Sequence, residues 1–262
     1  MSKIEIACII PFCHYDKHLL DAALTSIIKQ TTPSKIYIVG DGISKDEIRT
    51  WKAPYCASTN LYFFQADGIG PYRIANSIVR WHSQGEYIAL QDADDISFPN
   101  RFTLQLGVLK DVFEHTSAAM KQTALPGYKG ERDKREPTLL CGVKASNIPM
   151  GRYINSTRMI RRSTFESLNG FADMFCSGDL AFDNVLRALR IPSYEFKYVL
   201  AERRLHSDSL TNNSNTDRQS SIRAACMKRM KIDLARLLTK PTLETAWEIG
   251  NLNNAEPLIY VK

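Results

Sequence analysis

The chain has 262 residues, 44% of them hydrophobic, with 34 basic against 28 acidic side chains and a formal net charge of +6. At about 150 residues per domain this length holds one large core, or a core plus an appendage, and the composition excludes the disordered, collagenous and disulfide-framed classes. No apolar stretch approaches the roughly 20 residues of a membrane span, so a soluble or peripheral protein is expected; the mild positive balance suits a phosphate-bearing partner.

Residues 4–10 form an apolar run closed by Pro11 and read as a buried strand. Residues 17–30 set Leu19, Leu20, Ala23, Leu24, Ile27 and Ile28 on one face at helical spacing. Residues 35–39 read as a second strand, ending in Gly40-Asp41-Gly42, a turn signal. Residues 60–65 are a third, aromatic-rich strand, and 72–83 return to a helical period through Ile74, Ile78 and Trp81. Residues 87–90 are a fourth strand, and beyond Gln91 it runs into Asp92-Ala93-Asp94-Asp95. A helix after Pro99 carries Phe102, Leu106, Leu109 and Phe113 along one stripe.

Strands alternating with helices predict an α/β fold, with a mostly parallel sheet flanked by helices. Ligands of such sheets bind beyond the carboxyl ends of the strands. Residues 11–16, 40–44, 67–73 and 92–95 all follow strand ends, so these polar clusters are expected to converge on one crevice. The carboxylates of 92–95 repel one another and are costly to desolvate unless a positive charge sits among them. A hard divalent cation with a phosphate on its far side meets that need, because oxygen ligands suit Mg²⁺ or Mn²⁺. A solvated turn with an N-cap, which Asp also favours, is the alternative.

The middle section, 117–155, breaks the alternation. Residues 124–137 hold Pro126, Gly127, Gly130 and the run Lys129-Gly-Glu-Arg-Asp-Lys-Arg-Glu136, read as a mobile loop over the site or a merely solvated one. Ser163-Thr-Phe-Glu166 has capping-box spacing and starts a short helix that Gly170-Phe171 terminates. A further helix near Asp179 buries Phe182, Val185, Leu186 and Leu189, and a strand follows around 196–200. Residues 217–239 predict a basic amphipathic helix with Arg218, Arg223, Lys228, Arg229, Lys231 and Arg236, most simply an exposed charged helix; the remainder is weakly patterned. Cys8, Cys13, Cys56, Cys141, Cys176 and Cys226 show no C-x-x-C pair and read as reduced thiols. With no signal-peptide pattern at the start, a cytoplasmic location is expected.

The ordered motifs Ile9-Ile10-Pro11, Leu24-x-Ser26-Ile27-x-x-Gln30, Val39-Gly40-Asp41-Gly42, Arg73-x-x-Asn76, Gly85-Glu-Tyr-Ile, Asp92-x-Asp94-Asp95, Asn169-Gly-Phe171, Asp179 and Arg204-x-His206-x-x-Ser209-Leu-Thr211 together resemble one family. It is the GT-A fold nucleotide-sugar glycosyltransferases of the family 2 type, and the likeness runs over residues 4–211. The resemblance implies a Rossmann-like GT-A domain over 1–215, with a donor-binding half 1–116 and an acceptor-binding half 117–215. A C-terminal helical extension, 216–262, follows. Pro11, Phe12, His14 and Asp16 would lie along the nucleotide, and Asp41 would meet its base or ribose. Arg73 and Asn76 would face the donor. Asp92, Ala93 and Asp94 match the family's D-x-D, which clamps the ribose and the diphosphate-bound metal, with Asp92 and Asp94 as ligands. His206 would reach the metal or the diphosphate. Asp179 would be the catalytic base, with Asp183 one turn later as second choice. The chain departs from the family pattern at Gly40 and Gly178, each in place of an acidic residue, and its turn serine is displaced to Ser44.

These residues suit the chemistry. A metal bridging two phosphates stabilises charge on a departing diphosphate, and a third ligand at His206 would favour Mn²⁺ over Mg²⁺. Asp179 sits where a helix begins, and the positive end of the macrodipole favours a carboxylate there; a plain N-cap is compatible with that role. Arg73 reads as a phosphate or sugar contact or as an exposed helix-start arginine, and His206 as a ligand or a loop histidine. The expected reaction is metal-dependent, inverting transfer from a UDP-hexose to a hydroxyl on a glycan or lipid-linked glycan. A hydroxylated base in nucleic acid is the alternative acceptor. A sugar nucleotidyltransferase would show a Gly-rich, Arg-bearing loop where this chain has Pro11-Phe-Cys-His14, and a non-catalytic binding module would lose the ligands or the base.

Overall fold

The computed structural model describes residues 6–13, 17–55, 58–126, 155–210, 212, 216–217 and 219–262. His14, Asp16, the 129–136 charge run, Cys56, Cys141, Thr211 and Arg218 therefore lie outside the described residues. The first part of the chain runs β1 (Ile6–Phe12), α1 (Lys17–Ile28), β2 (Lys35–Asp41), α2 (Lys45–Lys52), β3 (Leu61–Ala66), α3 (Pro71–Ser77) and β4 (Tyr87–Leu90). It continues through β5 (Ile96–Ser97), α4 (Arg101–Leu109) and β6 (His115–Ala124). Then come β7 (Met159–Arg161), α5 (Arg162–Ser167), α6 (Gly178–Ala188), β8 (Ser193–Leu205), α7 (Ser221–Thr239), α8 (Leu243–Ile249) and β9 (Ile259–Tyr260).

The nine strands of the described residues share one sheet in the order β5-β8-β6-β7-β4-β1-β2-β3-β9. The run β4-β1-β2-β3 is parallel throughout, as expected. The other half is mixed: β7 pairs antiparallel with both β4 and β6, and β5 runs antiparallel to β8. Ile6–Ile10 is completely buried, and the pleat divides it. Ala7 and Ile9 enter a core layer with α3, α5, α6 and α8, while Ile6, Cys8 and Ile10 enter a second layer with α1, α2 and α4. Two apolar faces explain the unbroken hydrophobic runs, since a sheet covered on both sides has no solvent-facing register.

Several local expectations shift. Ser44 closes a capping box with Glu47 at the start of α2, so the displaced serine is a helix cap. The helix expected over 72–83 is α3 followed by a π-helical turn, Ile78–His82. The middle section does not lack structure: its first part is the ten-residue strand β6. Ser163 caps nothing, because α5 begins at Arg162 after Arg161, and Arg162 pairs with Glu166 at 3.1 Å. Phe113 falls beyond the end of α4.

The C-terminal part is helical over α7 and α8 but returns to the sheet. There β9 pairs with β3, and the Val261 side chain is buried. The Asn169 amide holds this return by donating to the main-chain oxygens of Trp247 and Gly250. Among the described residues no helix is long and apolar enough to cross a membrane.

Candidate active site

The expected crevice lies at the carboxyl ends of the parallel strands β1, β2 and β4, where Asp41 and the 92–95 turn follow directly. Asp41, the last residue of β2, is buried, and its two carboxylate oxygens accept from the main-chain N–H groups of Ile69 and Gly70, each at 2.8 Å. Two such bonds fix the loop after β3 against the end of β2. Cys13, just past the end of β1, keeps an exposed surface, and partial desolvation with the charges of Asp41 and Asp94 raises its thiol pKa. Pro11 is half-buried beside Val39, while the Phe12 ring packs on Trp51 in the core. Only the main chain of Phe12 therefore remains for a ligand.

The acidic turn after β4 is built by residues whose role no sequence pattern announces. Gln91 is buried, and its amide donates to the main-chain oxygens of Asp92 and Asp95, both at 2.9 Å. Arg101 is fully buried beneath it, donating to Gln91 Oε1, Ser97 Oγ and the Leu90 main-chain oxygen. The end of β8 docks from the other side. Arg204 N–H donates to Asp95 Oδ1 at 3.1 Å, and His206 Nε2 lies 2.9 Å from Asp94 Oδ2.

Carboxylate oxygens of Asp92, Asp94 and Asp95 lie within 4.8 Å of one another, a cluster that could hold a metal ion. Asp95 is thus a member of the group that the D-x-D reading passed over. Arg101 and Arg203 offset the crowding only in part. Burial, then the neighbouring Asp94, pushes Asp92 up to about 7, and burial with both neighbouring carboxylates holds Asp95 well above the usual carboxylate range. Residual repulsion among hard oxygen donors, with an imidazole alongside, fits a Mg²⁺- or Mn²⁺-sized cation.

That repulsion gives a pH dependence. The folded chain holds these protons more tightly than the unfolded chain does, so their contribution to stability is present at low pH and fades as pH rises through about 7. Cation binding needs the deprotonated ligands and runs the other way. Calorimetric titration with Mn²⁺ is expected to give about tenfold tighter binding near pH 8 than near pH 6. Equal affinity at both would remove Asp92 from the ligand set.

Across the crevice, Asp179 is the second residue of α6, not its N-cap, which is Ser177 in a left-handed conformation at φ 62°. Tyr72, near the start of α3, donates its hydroxyl to Asp179 Oδ1 at 2.9 Å. Gly178 has a matching reason: a Cβ there would sit 2.7 Å from the Tyr72 ring. The acidic side chain that the resemblance leads one to expect at this place is excluded by an aromatic ring that itself holds Asp179. The Asp179 charge is one of the smaller influences that raise the Asp92 carboxyl, so the two carboxylates lie within electrostatic reach of each other.

Other expected site residues fall elsewhere. Asp183 lies inside the core, bonded to Arg158 at 2.6 Å, with both side chains essentially fully buried. Burial pushes its carboxyl up to about 7 against the pull of Arg158. An acceptor hydroxyl has no route to it, and the structure assigns it to packing. Asn76 is buried and clasps Phe171, accepting from its N–H and donating to its main-chain oxygen, each at 2.9 Å. Gly170 (φ +68) makes room for this clasp, since a Cβ there would meet Asn76 Oδ1 at 2.4 Å. Arg73 stands at the rim, paired with Asp173, and Ala93 is half-buried against the core layer under the turn. The described cysteines Cys8, Cys13, Cys176 and Cys226 are free thiols.

The model of "Glycosyl transferase family 2" matches residues 7–169, well over half of the chain. Curated relatives include an uncharacterized glycosyltransferase of Rickettsia conorii, 26% identical over 120 residues, which are 45% of this chain and 20% of that protein. Another, from Rickettsia bellii, is 29% identical over 100 residues, 36% of this chain and 14% of the relative. The match thus spans a fifth or less of either relative's length. Among solved structures, S. aureus TarS 1–349 in complex with UDP superimposes with a TM-score of 0.62 at 13% identity, covering 96% of this chain and 89% of that one. Its complex with UDP-GlcNAc gives 0.64, again at 13% identity, covering 95% and 74%. At that identity the likeness speaks for the fold.

Proposed function

This chain belongs to glycosyl transferase family 2, and from that premise we propose that it moves a sugar from a nucleotide-sugar donor to a hydroxyl acceptor. The observation that carries the reading is the acidic cluster of Asp92, Asp94 and Asp95 just past the end of β4, with Asp179 within electrostatic reach of Asp92. A UDP-sugar is the donor of choice, in line with the UDP and UDP-GlcNAc complexes of the structural neighbour.

Asp92, Asp94 and Asp95, with His206 alongside, would hold a divalent cation, Mn²⁺ or Mg²⁺, which as a Lewis acid stabilises negative charge on the departing diphosphate. Pro11, the Asp41-anchored loop and Ala93 would line the nucleotide, and Arg73 would reach the donor from the rim. Asp179 takes the proton of the acceptor hydroxyl. Tyr72 directs it by occupying Oδ1, which leaves Oδ2 for the acceptor. A general base acting on the attacking hydroxyl gives direct displacement, and hence inversion at the sugar carbon. The acceptor is a hydroxyl of a glycan or lipid-linked glycan.

A panel of nucleotide sugars incubated with the protein and Mn²⁺ tests the reading through released nucleotide. Release from a UDP-sugar that EDTA suppresses is the expected result. Absence of both turnover and binding across the panel would contradict it.

A further inference from the structure

The outward face of α7 serves neither the core nor the transfer reaction. Met230 and Leu237 turn inward, to the core layer shared with Val185 and Leu186 of α6. The helix contains one acidic residue, Asp233, and it lies on that inward side. There it is buried, bonded to Arg229 at 2.8 Å and 3.7 Å from Arg236. The opposite face therefore has no carboxylate. It carries Lys228 and Lys231, both exposed, and neither forms an ion pair among the described residues. Beside them Ile232 is 51% and Leu238 71% exposed, and the exposed Ala224 and Ala235 fill in between. A charged helix that is merely solvated commonly sets acids three or four positions from its bases. On this face cations alternate with large aliphatic side chains instead.

We propose that this face of α7 docks on an anionic lipid bilayer. From Lys228 to Leu238 it runs about 15 Å along the helix. A helix lying in the plane of a membrane surface places its aliphatic side chains at the acyl boundary and its ammonium groups among the lipid phosphates. Charge complementarity selects this occupant, since an acid-free face on a chain of net charge +6 is drawn to anionic headgroups. Ile232 and Leu238 gain only where an apolar layer lies beneath the charges. A nucleic acid would satisfy the two lysines through its phosphates but would leave those aliphatic side chains in water. At its beginning α7 adjoins the candidate site, because Arg223 reaches Ser177 Oγ, 3.5 Å away, in the turn that leads to Asp179. Docking thus sets that turn beside the bilayer. Its use, access to a lipid-linked acceptor, rests on the transfer reading, whereas the docking itself does not.

Sedimentation of the full chain with phosphatidylcholine vesicles containing about one third phosphatidylglycerol tests the docking without donor or turnover. Partition is expected to be at least about tenfold stronger than with pure phosphatidylcholine, and to weaken as salt is raised. Lys228→Gln combined with Lys231→Gln should lower it by about tenfold. Ile232→Ser combined with Leu238→Ser should lower it by a similar factor, about tenfold. All four side chains are exposed, so both variants are expected to melt with the parent. Equal partition to both kinds of vesicle, partition to neither, or parent-like partition of both variants would overturn the proposal. So would tight binding of duplex DNA that the lysine variant loses and the aliphatic variant keeps, with the vesicles left unbound. Nucleotide release that persists without docking leaves the transfer reading standing, and docking without release leaves this proposal standing.

Discussion

Replacing Asp94 by Asn is expected to lower nucleotide-sugar turnover by about 10³-fold, the scale of losing one preorganised electrostatic group at a reacting diphosphate. The amide keeps the shape of the carboxylate and can still bond to His206 Nε2, 2.9 Å away, so the backbone of the turn should hold. What disappears is one of the clustered charges at 92, 94 and 95. Relieving that crowding favours the folded chain, because Asp94 is the leading charged cause that raises both Asp92 and Asp95. The variant should therefore melt no lower than the parent while losing activity and Mn²⁺ affinity together. Turnover within a few-fold of the parent would take the acidic turn out of the reaction.

Asp179→Asn should behave differently. Loss of a general base costs about 10² to 10⁴ in rate, and here it should fall on kcat, with the donor KM unchanged, because Asp179 contacts Tyr72 and not the acidic turn directly. Tyr72→Phe provides a graded companion: it keeps the carboxylate and the ring that fills the space over Gly178 but removes the bond that aims Oδ1. A loss of about tenfold in kcat, again without a change in KM, is expected from that single bond. Full activity of Asp179→Asn would hand the proton to another group. Asp183 is poorly suited to receive it, because the Arg158 guanidinium and the core enclose it. Its replacement should register as lost stability, of about 3–5 kcal/mol if Arg158 is left buried and unpaired, in a denaturant titration.

The parts legible in the chain are those where local pattern and tertiary role coincide. The runs of β1 and β2 are apolar because both faces of the parallel sheet are covered, and that burial is visible one residue at a time. The acidic turn is legible because clustered carboxylates at a strand end are costly without a purpose. The β6 strand is hidden because its buried part includes His115, Thr116 and Ser117, polar residues whose main chains pair with β7 and β8 and of which His115 also meets Arg158, so no apolar run marks it. The β9 strand is two exposed residues long, and only its partner β3, far away in the chain, defines it. Asn76 stands out as a motif position but its role does not, since its partner Phe171 lies 95 residues on. Gln91 and Arg101 read as an ordinary strand end and helix start. Only the packed structure brings the Gln91 amide to the main-chain oxygens of the turn and Arg101 to Gln91.

Gly178 shows the same limit in a single residue. By comparison with the family pattern it is a missing acid, whereas in the fold it is the space that the Tyr72 ring requires. A departure from a motif carries its meaning only with the side chain that compensates it.

A crystal of the protein grown with UDP and Mn²⁺, with data collected at the manganese absorption edge, probes the central assignment most directly. The account predicts one anomalous peak at bonding distance from carboxylates of the 92–95 turn, the diphosphate on its far side, and Asp179 facing the open edge where a sugar would sit. A manganese ion remote from Asp92, Asp94 and Asp95, or a nucleotide seated away from the ends of β1, β2 and β4, would contradict it.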